Sequence, residues 1–362
     1  MISAPRKDAL DPERIAWIDT LKALGIFLVV FAHHKTDPSV VQFIYAFHMP
    51  LFFLISGFLF DPRKYASFRE FAGKRLRTLI VPYFFFAVIS YLFWLIAVRS
   101  LSVTGRALEI PPLDPLVGIF YSAGVQGWKV LMATQVWFLT CLFVVEILFW
   151  GIQKRCGSHK GKMIAALLIS GILGFVSSRG LPFRLPWSAE AALIVVVFYG
   201  AGFIFKGAIV RSVALAVWKK GMVALGVFLG AWFFCSLNGK IDIYNNIYHD
   251  PLLFYAAAFL GIYGTMLVSQ MIPANEALSF IGRNTLIIMG MEKIALFLLR
   301  GMVYLVSKEL PYLEPVSLGG ALIWSLGQIV VLVPVIWGLN RYLPFFVGRR
   351  GSFRRGSVGV RP

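Results

Sequence analysis

Charge is scarce in this chain. Asp, Glu, Lys and Arg make up 14% of its 362 residues, against about 25% in soluble globular domains. Hydrophobic residues reach 59%, too many for a soluble two-domain protein, so the solvent around most of the chain is lipid. Cysteine is almost missing. Cys141, Cys156 and Cys235 form no CxxC pair and no metal-ligand spacing, which excludes a disulfide framework and leaves no thiolate metal site to expect. Acidic residues number 17 against 35 Lys and Arg, a net charge of +18. In a soluble protein that balance would suggest nucleic acid. Here the cations cluster in alternate loops between apolar runs, and no nucleic-acid partner is expected.

Lipid offers no hydrogen bonds to the backbone, so a spanning segment is a helix of about 20 apolar residues or a strand of a closed barrel. The unbroken run from Leu76 to Val98 is too long and too poorly alternating for a barrel strand. The expected fold is therefore an all-α integral membrane bundle of about ten helices. Approximate spans are Ile15 to Ala32, Gln42 to Phe60, Thr78 to Val98, Gln135 to Trp150, Met163 to Val176 and Ala189 to Phe205, followed by Gly221 to Leu237, Pro251 to Met271, Thr285 to Tyr304 and Leu318 to Asn340. Cytoplasmic loops retain Lys and Arg. Placing both termini in the cytoplasm puts about 24 of the 35 cations inside and about 8 outside, and an odd number of spans would move the Arg-rich tail outward. The tail at 346–362, following a membrane domain at 1–345, is Gly- and Ser-rich and is expected to be disordered on anionic lipid. The polar N-terminus is followed by no small-residue cleavage pattern, so no segment is expected to be removed. The longest outer loop, Arg99 to Thr134, carries Pro111, Pro112, Pro115 and Trp128 and is expected to form a partial lid.

Ionisable groups within a spanning helix cost roughly 2.5 to 3.5 kcal/mol each on insertion scales and are functional candidates by default. The first helix carries Asp19, Lys22 and His33. At 100° per residue, Lys22 and His33 lie about 20° apart and Asp19 about 40° from His33, while His34 is rotated about 120° from Lys22. The stripe selects His33 over its neighbour and predicts a polar seam crossing much of the membrane. The competing reading is an Asp19–Lys22 pair that neutralises itself near the interface, with both histidines among headgroups. His48 of the second helix is placed to face His33, and imidazole titrates near neutral pH, as acid–base work requires. Two histidines without a clear third ligand are weak grounds for a metal. Ser56–Gly57 reads better as close helix packing than as a nucleophile turn. Glu146 and Glu292 lie in helix interiors, where each serves either as structural glue or as a catalytic group. The basic run Lys74, Arg75, Arg77 is explained equally by topology and by capture of a cytosolic polyanion.

The segments IDTLKALGIFLVVFAHH, FHMPLFFLISGFLF, KRLRTLIVPYFFF and WFLTCLFVVE resemble membrane acyltransferase family 3, particularly its branch of fucose 4-O-acetylase-like sugar acetyltransferases. The likeness is dense from Ile18 to Phe86, returns at Trp137 to Glu146 and is faint at IGRNTLIIMG. The family's Arg-x10-His signature falls on Lys22 and His33, so Lys replaces Arg and the planar bidentate fork is lost. Glu292 stands about where many relatives carry His. The resemblance implies a ten-helix plasma-membrane enzyme that takes an acyl group, usually acetyl, from cytosolic acyl-CoA. It delivers that group to a hydroxyl of a surface glycan or lipid-linked sugar. In that scheme His33 is general base or transient acyl carrier, and His48 assists proton transfer. Lys22 beside Asp19 steadies the donor, Lys74, Arg75 and Arg77 hold its phosphates, and Glu292 substitutes as base or the role is lost; no metal is implied. Two other readings fit a bundle with buried charge. One is a transporter or flippase of lipid-linked sugar, which paired broken helices or inverted halves would favour; the other is a non-catalytic anchor for a polysaccharide-assembly complex.

Overall fold

A computed structural model describes residues 12–101, 107–125, 128, 131–308 and 316–349. It is all-helical among the described residues apart from one isolated bridge, Asp242 to Ile247. In chain order the helices are α1 (Pro12–Ala32), α2 (Pro38–Leu59), α3 (Phe68–Val98), α4 (Leu113–Tyr121), α5 (Thr134–Cys156), α6 (Lys160–Gly180) and α7 (Pro186–Ile204). They continue with α8 (Lys206–Ser212), α9 (Val217–Asn238), α10 (Pro251–Met271), α11 (Glu276–Arg283), α12 (Thr285–Ser307) and α13 (Leu318–Tyr342). Eight of them, α2, α3, α5, α6, α7, α9, α10 and α13, are long and apolar enough to cross a membrane. The ten expected spans thus reduce to eight by length and composition. The other two, α1 and α12, are 21 and 23 residues long and carry Asp19, Lys22, Glu292 and Lys293.

Local chemistry sets the helix starts. Asp37 caps α2, accepting from the Ser39 and Val40 amides at 2.9 and 3.1 Å, with Pro38 in the first turn. Asp250 and Pro251 repeat the device at α10. At α3 the Ser67 hydroxyl accepts from the Glu70 amide, and the Glu70 carboxylate reaches back to the Ala66 amide. That cap starts α3 at Phe68, earlier than the expected Thr78, so Lys74, Arg75 and Arg77 lie on a helix rather than in a loop. The helix loosens into π-turns at Leu76–Ile80 and Trp94–Val98, a geometry frequent at functional sites.

Close packing depends on small residues. A Cβ on Gly57 would sit 1.8 Å from the Tyr199 carbonyl oxygen, and one on Gly202 would sit 2.1 Å from that of Leu54. These two glycines bring α2 and α7 together backbone to backbone, the reason for Ser56–Gly57 in the sequence. Gly282 likewise seats α11 on α1, where a Cβ would meet the Asp19 carbonyl oxygen at 2.0 Å. The core runs through α1, α2, α5, α7 and α10, with Leu21, Phe53, Phe149, Phe198 and Phe254 all fully buried. The exposed faces of α6, α9 and α13 present Ile172, Leu225 and Ile323, the apolar exterior expected against acyl chains.

Candidate active site

The end of α1 carrying His33 opens on a cavity of about 430 Å³. Its walls come from α1 and α2, from the segment leading into α5, from the α9–α10 connection and from α12. His33 is the hinge of the arrangement. Its Nδ1 lies 3.3 Å from Glu292 Oε2 and 3.3 Å from the Gln135 amide nitrogen. That amide donates to the other carboxylate oxygen, Glu292 Oε1. Gln328 donates to the Glu292 backbone carbonyl at 2.8 Å, which fixes the turn of α12 presenting the carboxylate. The Glu292 side chain is 2% exposed and that of His33 26%. A buried carboxylate therefore backs an imidazole that reaches the cavity, the arrangement that orients a histidine for acid–base work.

His48 lines the same cavity. Its Nδ1 is 2.8 Å from the Ile44 carbonyl oxygen; a carbonyl only accepts, so Nδ1 carries the proton and Nε2 remains as an acceptor. Tyr45 stands between the two histidines, its ring 5.0 Å from that of His48 and 6.5 Å from that of His33. The opposite wall holds Trp137 against Tyr244, ring centroids 5.8 Å apart. Asp242 and Asn245 sit beside them, joined by a 2.7 Å hydrogen bond. Arg184 pins this connection by donating to the Tyr244 carbonyl at 2.8 Å while its guanidinium pairs with buried Glu190. Of the expected lid, α4 is anchored through the Tyr83 hydroxyl to the Ile119 carbonyl, and Leu131, Met132 and Thr134 reach the cavity. Lys293 donates to Thr134 and also borders a second cavity of about 340 Å³ behind His33, shared with His34, Arg300 and Gln328.

The remaining expected site residues lie elsewhere. Lys22 Nζ is 3.7 Å from Asp19 Oδ1, and Arg283 donates to Asp19 Oδ2 at 2.8 Å. Lys22 and Asp19 are about three to four turns from His33, and the stripe between them carries Ile26, Val29 and Val30, each at most 1% exposed. The predicted polar seam is two polar ends joined by an apolar middle. Arg75 Nε and Glu146 Oε2 lie 2.7 Å apart in a nearly buried ion pair that the Tyr199 hydroxyl also approaches at 3.5 Å. Arg77 stacks its guanidinium over Phe345 at 5.0 Å, and Lys74 lies 5.1 Å over the Tyr65 ring. Among the described residues, no three His, Cys, Asp or Glu side chains gather in a metal-binding group.

Sequence reasoning missed Gln135, Lys293, Thr134, Asp242 and Tyr244. One signal was available: Lys293 adjoins Glu292 in an apolar helix and carries the same insertion cost. Gln135 and the 242–245 segment converge on His33 through tertiary structure alone and leave no periodic trace.

A polytopic helical bundle with a carboxylate-backed histidine facing a cavity defines a membrane protein with the means for acid–base group transfer. The chain belongs to acyltransferase family 3, whose acyltransferase domain matches residues 15–347. No curated protein and no solved structure matches it.

Proposed function

We propose that this protein is a plasma-membrane O-acyltransferase that moves an acyl group, acetyl in the first instance, from cytosolic acyl-CoA to a sugar hydroxyl of a surface or lipid-linked glycan. In this reading it belongs with the sugar acetyltransferases of its family, α1 and α12 are the ninth and tenth spans, and both termini are cytoplasmic. The observation that carries the reading is the Glu292–His33 contact at the wall of the 430 Å³ cavity.

With Nδ1–H directed at Glu292, His33 presents Nε2 as the base. The acceptor hydroxyl attacks the thioester carbonyl carbon as its proton passes to Nε2. The C–S bond then breaks and the proton leaves with the thiolate as free thiol. Lys293, one residue from Glu292 and bordering both cavities, supplies positive charge where the tetrahedral oxyanion develops. His48, with Nε2 available as an acceptor, holds a second acceptor hydroxyl. Trp137, Tyr244, Asp242 and Asn245 suit a sugar, offering apolar ring faces beside carboxylate and amide groups. At the other end of α1, Lys22 beside Asp19 steadies the donor, with Lys74 and Arg77 near its phosphates. Arg75, held by Glu146, takes a supporting part.

Purified protein in liposomes, given labelled acetyl-CoA and a glycan extract, tests the reading. Acceptor-dependent thiol release with label on the glycan is the expected result. Movement of the glycan across the bilayer with acetyl-CoA intact would instead favour a flippase.

A further inference from the structure

Residues 343–349, which follow α13, turn back against the end of the bundle that holds Lys22. Phe346 stacks on Phe85 with centroids 5.1 Å apart, and Val347 is 6% exposed. Gly348 adopts φ +73°, and a Cβ there would sit 3.1 Å from the Thr78 carbonyl oxygen. An L side chain rarely adopts that conformation, so the turn relies on glycine. Its effect is to set Arg349 in place. The guanidinium donates to the Arg283 carbonyl at 2.9 Å and to Asn284 Oδ1 at 2.8 Å, an oxygen that also accepts from Asn340 at 2.8 Å.

Contacts continue to either side. Arg283 leads through Asp19 to Lys22, and Phe345 of the same turn lies under Arg77. Four cations, Lys22, Arg77, Arg283 and Arg349, are thus linked through one folded segment, and the carboxylate in the chain of contacts is Asp19. Burial first, and the neighbouring Arg283 guanidinium after it, push the Arg349 guanidinium down from its usual value, yet an arginine stays charged. The first residue of α12, Thr285, directly follows Asn284, whose side chain serves Arg349 and Asn340 instead of capping the helix. The positive end of the α12 dipole is therefore added to the same corner. Surplus positive charge at fixed spacing is repaid by a ligand carrying several negative charges.

We propose that the 343–349 turn completes a clamp for the phosphates of the acyl donor's nucleotide end, with Arg283 and Arg349 as the central pair and Lys22 and Arg77 flanking them. The assignment rests on the acyl-CoA reading above and adds to it a site built from the other end of the chain. Anionic lipid headgroups offer the same phosphate chemistry. The donor is the ligand favoured here, because the cations are joined to Lys22 at the foot of the helix that ends in His33.

Two measurements on the full chain in proteoliposomes test the clamp. Steady-state KM is compared for acetyl-CoA and its 3′-dephospho analogue, in phosphatidylcholine and in phosphatidylglycerol vesicles. Loss of the 3′-phosphate is expected to raise KM about tenfold in the unsubstituted protein, the scale of one charge-assisted hydrogen bond. Arg349→Gln and Arg283→Gln are expected to raise KM for acetyl-CoA by a similar factor and to erase the discrimination, with kcat little changed and Arg349→Lys partly restoring it. Discrimination that persists in Arg349→Gln, or a KM that follows vesicle charge instead of the 3′-phosphate, overturns the clamp. Binding of adenosine 3′,5′-bisphosphate by calorimetry reads the clamp without turnover. About tenfold weaker binding to Arg349→Gln supports it and equal binding overturns it, whereas absent acetyl-CoA turnover in the unsubstituted protein counts against the enzymatic reading alone.

Discussion

His33 and His34 are adjacent in sequence and differ in what stands behind them. His33 meets the Glu292 carboxylate and the Gln135 amide at the edge of the larger cavity, while His34 is 3% exposed and borders the smaller one. His33→Ala is therefore expected to abolish acyl transfer at unchanged expression, with His34→Ala retaining much of it; equal losses in a turnover assay would remove the case for His33 as base. Glu292→Gln keeps the shape and loses the charge, so kcat should fall by about 10² to 10⁴, the range seen when a base or its orienting carboxylate is removed. Gln135→Leu should give a smaller loss of the same kind, since Glu292 then keeps its charge but not its hold; an unchanged kcat would argue against Gln135 as a positioning residue. The candidate histidine could be read from helical periodicity, because a stripe on one helix is a property of that helix. Its partner could not, since Glu292 lies 259 residues away and stood in the sequence as one isolated carboxylate among apolar neighbours.

Helices α2 and α7 approach closely enough that two glycines decide the fit. Gly57→Ala should lower the thermal midpoint in detergent substantially, because the added methyl falls on the Tyr199 backbone and neither helix can yield locally. Gly73→Ala in α3 is the control. Nothing lies within 4 Å of its added Cβ, and relief of glycine's helix penalty should stabilise by about 0.5 to 1 kcal/mol. The Arg75–Glu146 pair ties α3 to α5. Removing either partner alone should cost about 3 to 5 kcal/mol by leaving a buried charge, whereas Arg75→Met with Glu146→Leu should recover most of that loss. A double-mutant cycle on thermal stability without such recovery would show that Arg75 matters for something other than Glu146. Most helices were legible because lipid imposes long apolar runs on any span. The start of α3 was misplaced by about ten residues because its first three turns are basic and polar, and hydropathy is blind to a helix that a Ser67–Glu70 cap begins outside the membrane.

On the scale of the whole molecule, eight helices satisfy the apolar criterion and α1 and α12 are the two long helices outside that set. If all ten cross, tags at the two termini should be protected alike in sealed cells and digested alike in inverted vesicles; opposite behaviour would show that α1 or α12 does not cross. Eight of the ten expected spans were legible from hydropathy, but the convergence of five segments on one cavity is a product of packing that no window along the sequence samples. The apolar middle of α1 has a consequence at this scale. Ile26, Val29 and Val30 fill the stripe between the two charged ends, and a bare ion taken into that stretch loses hydration worth several kcal/mol or more. An uncharged pantetheine arm, in the proposed reaction, would give up only amide and hydroxyl hydration there, a smaller cost than that of an ion. Under the proposed reaction, the helix that links the donor's charged end to His33 is thus also an insulator against bare ions.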